Sequence, residues 1–76
     1  MQAFLEFVLK QLVDCPEEVV VTRIPREKGV LFELRLKPTD VGKVVGKQGQ
    51  TIAAIRSLVN AAASRVGDRV EIEIVE

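Results

Sequence analysis

The chain has 76 residues, 47% of them apolar, and its eleven Lys and Arg balance eleven Asp and Glu for a formal net charge of zero. That length holds one domain, residues 1–76, which buries only about 60% of its unfolded surface and so depends on a dense core or on self-association. One cysteine and no histidine exclude an internal disulfide, a zinc site and an imidazole general base, and without an apolar run of about 18 residues no membrane span is expected.

Residues 2–14 read as a helix, with Phe4, Leu5, Val8, Leu9 and Leu12 recurring at the spacing of one helical face. Glu6 and Lys10 interrupt this stretch and no small-residue cleavage site follows, so it is not a secretory signal and a cytoplasmic location is expected. Pro16 disfavours helical backbone at Cys15 and is expected to end the helix there. Cys15 reads as a half-buried thiol. Phe7 falls off the stripe, among Lys10, Gln11 and Asp14, as an ordinary exposed aromatic or the mark of a partner surface.

Residues 18–24 are rich in β-branched side chains and read as a strand, although Val19, Val20, Val21, Thr22 and Ile24 do not reveal which face is buried. A turn is expected at 25–29. Val30, Phe32, Leu34 and Leu36 then alternate with Leu31, Glu33, Arg35 and Lys37, the pattern of a strand buried on one face. Pro38 stops it, and Thr39 is expected to cap the helical turn that follows. Past residue 50, Ile52, Ile55, Leu58, Val59, Ala62 and Val66 form an apolar helical stripe, closed by Gly67 in a left-handed cap. Val70, Ile72 and Ile74 alternate with Glu71 and Glu73 as a last strand.

The order is αββααβ, an α+β class. The first two strands form an antiparallel hairpin, and the helical crossover between the second and third allows parallel pairing. A mixed three-stranded sheet with its helices on one face is expected.

Between the two crossover helices lies Val44-Val45-Gly46-Lys47-Gln48-Gly49-Gln50-Thr51-Ile52. Two glycines, free to take positive φ and to let backbone approach a ligand, enclose a cation and an amide. A helix start follows at once, and helix starts favour anions such as phosphate. Val44, Val45 and Ile52 frame the loop with apolar surface. A phosphate-binding P-loop would need four residues between its glycines, then Lys and a hydroxyl; Gly42 and Gly46 enclose three, and Gln48 replaces the hydroxyl. The spacing of a dinucleotide fingerprint is absent. Two glycines that merely shape a turn would leave Lys47, the helix start and the apolar frame unexplained.

Framed this way, Gly46-Lys47-Gln48-Gly49 resembles the GxxG signature of the KH domain, and the element order resembles the type II (prokaryotic) arrangement of that family. The run Pro38-Thr39-Asp40-Val41-Gly42-Lys43 before the loop and Ile52-Ala53-Ala54-Ile55-Arg56 after it extend the resemblance to small bacterial proteins that are little more than one such domain. The resemblance implies non-catalytic binding of single-stranded RNA or DNA, with no cofactor, the loop clamping about four backbone nucleotides. Gly46, Lys47, Gln48 and Gly49 would make the clamp, Lys43 and Arg56 would add attraction, and Val44, Val45 and Ile52 would line the base groove, joined by Ile55 unless it is pure core. It further implies a homodimer, a larger KH-containing partner, and RNA-chaperone work tied to cell envelope and cell shape.

Zero net charge conceals an uneven distribution. Residues 39–66 carry Lys43, Lys47, Arg56 and Arg65 against Asp40 alone, whereas residues 67–76 carry Arg69 against Asp68, Glu71, Glu73 and Glu76. A short electrostatic footprint around the loop is expected. The three phenylalanines all lie away from it, so stacking on aromatic rings is not available and sequence discrimination should be weak. Ala53, Ser57, Asn60, Ala61 and Ser64 give the last helix a small-residue outer face, which allows close approach of another helix and makes Ala53, Ser57, Asn60 and Ala61 the candidate dimer interface.

Overall fold

The alternation of apolar and polar residues at 30–37 and 70–74 marks two strands, which pair side by side in the sheet. In this computed structural model, which describes residues 1–75, β1 (Val20–Arg26) and β2 (Gly29–Arg35) form an antiparallel hairpin. β3 (Arg69–Val75) runs parallel to β2 on its other side, giving the sheet order β1-β2-β3. Helix α1 (Gln2–Leu12) precedes the hairpin, and α2 (Val41–Val45) and α3 (Gln50–Ser64) make the crossover from β2 to β3. The α+β class, the order αββααβ and the mixed three-stranded sheet agree with the sequence pattern. Among the described residues no helix is long and apolar enough to cross a membrane.

Register assigns the buried face. Phe32 pairs with Ile72 and Leu34 with Ile74 and Val21, so these side chains share the face that meets the helices. Leu5 and Leu9 of α1, Val44 of α2 and Ile52, Ile55, Val59 and Ala63 of α3 complete one core. The opposite face carries Glu33 directly across from Glu73, with Glu71 one step along the same strand. Arg26, Arg35 and Arg69 share that face in the same register, so its charges are balanced.

The pairing also settles the face of β1: Val21 is buried, while Val20, opposite Arg35, is exposed. β1 begins at Val20 rather than 18 because Pro16–Glu18 forms a 3-10 turn. It continues through Pro25 to Arg26, and an edge strand accepts a proline that could not donate to a neighbour. The expected turn at 25–29 shrinks to Glu27 and Lys28.

Helix α1 stops at Leu12, short of residue 14. Val13 is already extended (φ −98°, ψ 158°) and turns its side chain into the core. Leu5 and Leu9 are buried and Val8 and Leu12 pack half-buried against the core, whereas Phe4, at the end of the expected stripe, is 41% exposed. The stripe of α3 narrows: Ile52, Ile55, Val59 and Ala63 are buried, whereas Leu58 is 57% exposed and Ala62 and Val66 are exposed too. Leu58 and Ala62 each precede a buried residue and so lie about 100° round the helix from it, while Val66 lies beyond the helical segment. Thr39 caps nothing; neither Pro38–Asp40 nor α2 has a side-chain cap. Gly67 does close α3, at φ +76°, with the Asp68 amide donating to Ala63 O and the Gly67 amide to Ser64 O.

Candidate nucleic-acid interface

Helix α2 is only five residues long and delivers the chain into a left-handed reversal. Gly46 sits at φ 77°, ψ 175°, a region open to glycine and almost nothing else. A Cβ there would lie 2.2 Å from Thr51 Oγ1 and 2.9 Å from the Thr51 backbone nitrogen. Gln48 follows in the left-handed region (φ 56°, ψ 27°), the one non-glycine residue with positive φ among those described. Gly49 is also left-handed (φ 74°, ψ 12°) and occupies the N-cap of α3. These backbone angles turn the chain between α2 and α3 and leave Lys47 and Gln48 exposed at its tip.

The start of α3 has no side-chain cap and no acidic residue in its first turn. Its unpaired N–H groups and the positive end of its dipole are thus not compensated locally. Lys47 stands next to them, with no carboxylate within 4 Å among the described residues. The aliphatic frame divides into two kinds. Val44, Ile52 and Ile55 are buried and support the loop from beneath, while Val45 is half-buried and offers apolar surface beside it.

Lys43, one turn before the loop on α2, is already engaged. Its ammonium donates a hydrogen bond to Asp14 Oδ2 in an ion pair whose side chains are 43% and 75% exposed. That hydrogen bond raises the Lys43 pKa above the ordinary lysine range; desolvation opposes it, and the charges of Asp14 and Asp40 add to the rise. Asp40 is 1% exposed and accepts the Asp14 amide on Oδ1 at 3.2 Å and the Cys15 amide on Oδ2 at 3.0 Å. The sequence marks Asp40 only as a residue at a helix start; nothing in its spacing ties it to a segment 25 residues earlier.

Arg56 and Asn60 sit on the flank of α3 that overhangs β3. The Arg56 guanidinium donates to Ile72 O at 3.2 Å, and Asn60 Oδ1 accepts the Val70 amide at 3.2 Å while its Nδ2 donates to Arg56 O. Gln2 does the same at the other edge, donating to Val21 O at 2.8 Å. Side chains from the helices thus satisfy backbone groups on both free edges, the positions most prone to pair with foreign strands. Ala53, Ser57 and Ala61 are exposed on α3, and Asn60 is half-buried by its contact with β3. Beside them, Met1, Phe4, Leu58, Val59 and Ala62 line an apolar cleft of about 350 Å³ between α1 and α3.

A family model described as KhpA/KhpB, KH domain, matches residues 2–74. The RNA-binding protein KhpA of Clostridium acetobutylicum is 45% identical over 75 residues, covering 99% of this chain and 100% of its own length. The RNA-binding proteins KhpA of Chlamydia pneumoniae and of Aquifex aeolicus are 43% and 42% identical over 76 residues, all of this chain and 97% and 96% of theirs. No solved structure gives a significant match.

Proposed function

The chain belongs to the KhpA/KhpB family of KH domains, and on that premise we propose that it is a non-catalytic RNA-binding protein, a single KH domain over residues 1–76. Gly46, Lys47, Gln48 and Gly49 clamp the backbone of a single strand. The observation that carries this reading is the left-handed loop at an uncompensated helix start, with Lys47 at its tip unpaired among the described residues. Loop and first-turn amides donate to phosphate oxygens, Lys47 supplies the charge, Gln48 hydrogen-bonds sugar or base, and Val45 gives the bases an apolar wall. Buried Val44 and Ile52 act by holding the loop in shape, and Arg56 acts at long range from its place on the β3 edge.

Two or three phosphate contacts on a single strand correspond to a slope of log K against log salt of about −1.5 to −2. Work as an RNA chaperone in the cytoplasm, a homodimer through Ala53, Ser57, Asn60 and Ala61, and a KhpB-like partner in control of cell envelope and cell shape complete the reading; they rest on resemblance to the family. A single DNA strand offers the same phosphates, so parallel titrations with RNA and DNA oligonucleotides of one sequence measure the contribution of the 2′-hydroxyl.

Replacing Lys47 and Gln48 together with Asp tests the clamp. Two anions then stand where phosphate should sit, and Asp tolerates the left-handed backbone of position 48. RNA binding collapses while circular dichroism stays as in the wild type. Unimpaired binding by the folded double variant removes the loop from the interface and favours a second reading, an assembly subunit that docks through the apolar cleft between α1 and α3.

A further inference from the structure

The dipeptide Asp14–Cys15 is held twice from one side of the chain that leads into the loop. Asp40 and Lys43 are three residues apart, so across the start of α2 they face the same way. The Asp40 carboxylate takes both backbone amides of the dipeptide, and the Lys43 ammonium takes the Asp14 carboxylate. Because Asp40 is buried and both of its oxygens are used, the Asp14 backbone is anchored by the core and not left to a floppy turn. Asp14 thus presents its carboxylate at a fixed place beside α2, although the side chain itself is 75% exposed. Lys43 lies three residues before Gly46, within one helical turn of the loop. A phosphate approaching that side of the loop meets a cation that already has an anion.

We propose that Asp14 is an affinity-setting residue of the RNA site: it withholds Lys43 from phosphate, so the loop grips RNA through Lys47 and backbone amides while one nearby cation stays masked. This rests on the RNA reading of the loop and deepens it. Each phosphate that a protein cation neutralises on a single strand adds about −0.7 to the slope of log K against log salt. A Lys43 kept on Asp14 adds nothing to that slope, and a released Lys43 adds its full share. An exposed ion pair of this kind is weak, so the masking is a modest adjustment of affinity and not a lock.

The test is a double-mutant cycle in the full chain, titrating a fluorescent single-stranded oligouridylate over a range of salt. Asp14→Asn keeps the backbone amides that Asp40 holds. It should steepen the slope by about 0.7 and tighten binding at low salt by roughly two- to fivefold, the reach of an exposed pair. Lys43→Gln alone should change little, and Asp14→Asn/Lys43→Gln should return both slope and affinity to wild-type values. If the gain survives in the double variant, Asp14 acts by general repulsion and the proposal is overturned. It is equally overturned if Lys43→Gln weakens binding as much in the wild type as in the Asp14→Asn background. Wild-type binding that Asp14→Asn leaves unaltered in slope and affinity overturns the proposal alone, whereas a wild-type chain that binds no RNA overturns the RNA reading with it.

Discussion

Gly46→Ala and Gly49→Ala place the same methyl group at the two ends of one loop, and the geometry separates their effects. At Gly49 the backbone is left-handed and nothing lies within 4 Å of an added Cβ. A non-glycine residue there costs about 1–2 kcal/mol, and the stiffer unfolded chain returns about 0.4–1 kcal/mol. The net loss is on the order of 1 kcal/mol, or roughly 4–8 °C in Tm for a domain of this size. At Gly46 the angles are open essentially to glycine alone, at about 1–3 kcal/mol. The methyl would also meet Thr51 Oγ1 at 2.2 Å, its Cβ at 2.6 Å and its backbone nitrogen at 2.9 Å. The hydroxyl can rotate away, but the nitrogen belongs to the first turn of α3 and cannot move without it. Overpacking of this sort costs about 1–3 kcal/mol more, so the net loss is about 3 kcal/mol, a large part of the roughly 4–11 kcal/mol that holds a domain of this length.

Binding should rank the other way. The Gly49 methyl points into open space in the free protein, the space that a strand held by the proposed clamp would enter. Gly49→Ala therefore lowers RNA affinity by more than its stability loss explains, while Gly46→Ala acts mainly through unfolding. Urea denaturation followed by circular dichroism measures the first quantity, and RNA titration of the folded fraction measures the second. Equal destabilisation by the two substitutions, or a Gly49→Ala protein that binds like the wild type, refutes the argument.

Asp40→Ala deprives the Asp14 and Cys15 amides of a charged acceptor at a buried site, and each such bond is worth about 1.5–3 kcal/mol. A fall in the urea midpoint equivalent to about 3 kcal/mol is expected, with Asp40→Asn, which keeps one acceptor, in between. The raised Lys43 pKa fixes the sign of a pH effect: the Asp14–Lys43 contribution is full below the unfolded lysine pKa and is lost as pH rises through the folded one. Denaturation midpoints should thus show no change from this pair near neutrality, and a decline above the ordinary lysine range that Asp14→Asn reduces. Ala61→Arg or Ser57→Glu on the exposed face of α3 should convert a homodimer into a folded monomer with weaker RNA binding, as read by sedimentation equilibrium. A wild-type chain that stays monomeric at high concentration removes the dimer.

Period carried the fold. The alternation of β2 placed Phe32 and Leu34 correctly in the core, although Leu31, expected on the outer face, is buried as well, and the stripe of α3 placed Ile52, Ile55 and Val59 correctly. The residues misplaced on α3 share one cause. A helix stripe lists every residue that could face a neighbour, but a sheet touches a helix along a narrower line, so Leu58 and Ala62, about 100° away from buried residues, end outside. The length of α1 failed for a different reason: Pro16 sets an outer limit on the helix, while the true end is set by Val13 entering the core and by Asp40 claiming the next two amides. Those are tertiary contacts between segments far apart in the chain, and no local propensity encodes them.

The same distinction governs the site. The positive φ required of Gly46 and Gly49 is a local property, written in the residue type and visible in the spacing. Charge is not local in this sense. The window 39–66 holds four cations against one acid, yet the fold brings Asp14 to Lys43 and fastens Arg56 to the edge of β3. Arg65 lies at the far end of α3, about 22 Å from the loop at 1.5 Å per residue. Among the described residues, Lys47 alone is both unpaired and at the turn. If the proposed clamp holds, a chain with zero net charge and, among the described residues, one unpaired cation at the turn would not hold RNA by electrostatic bulk. It would rely on amides aimed by the strained reversal of the backbone, and the loop glycines would then matter more to binding than the count of basic residues does.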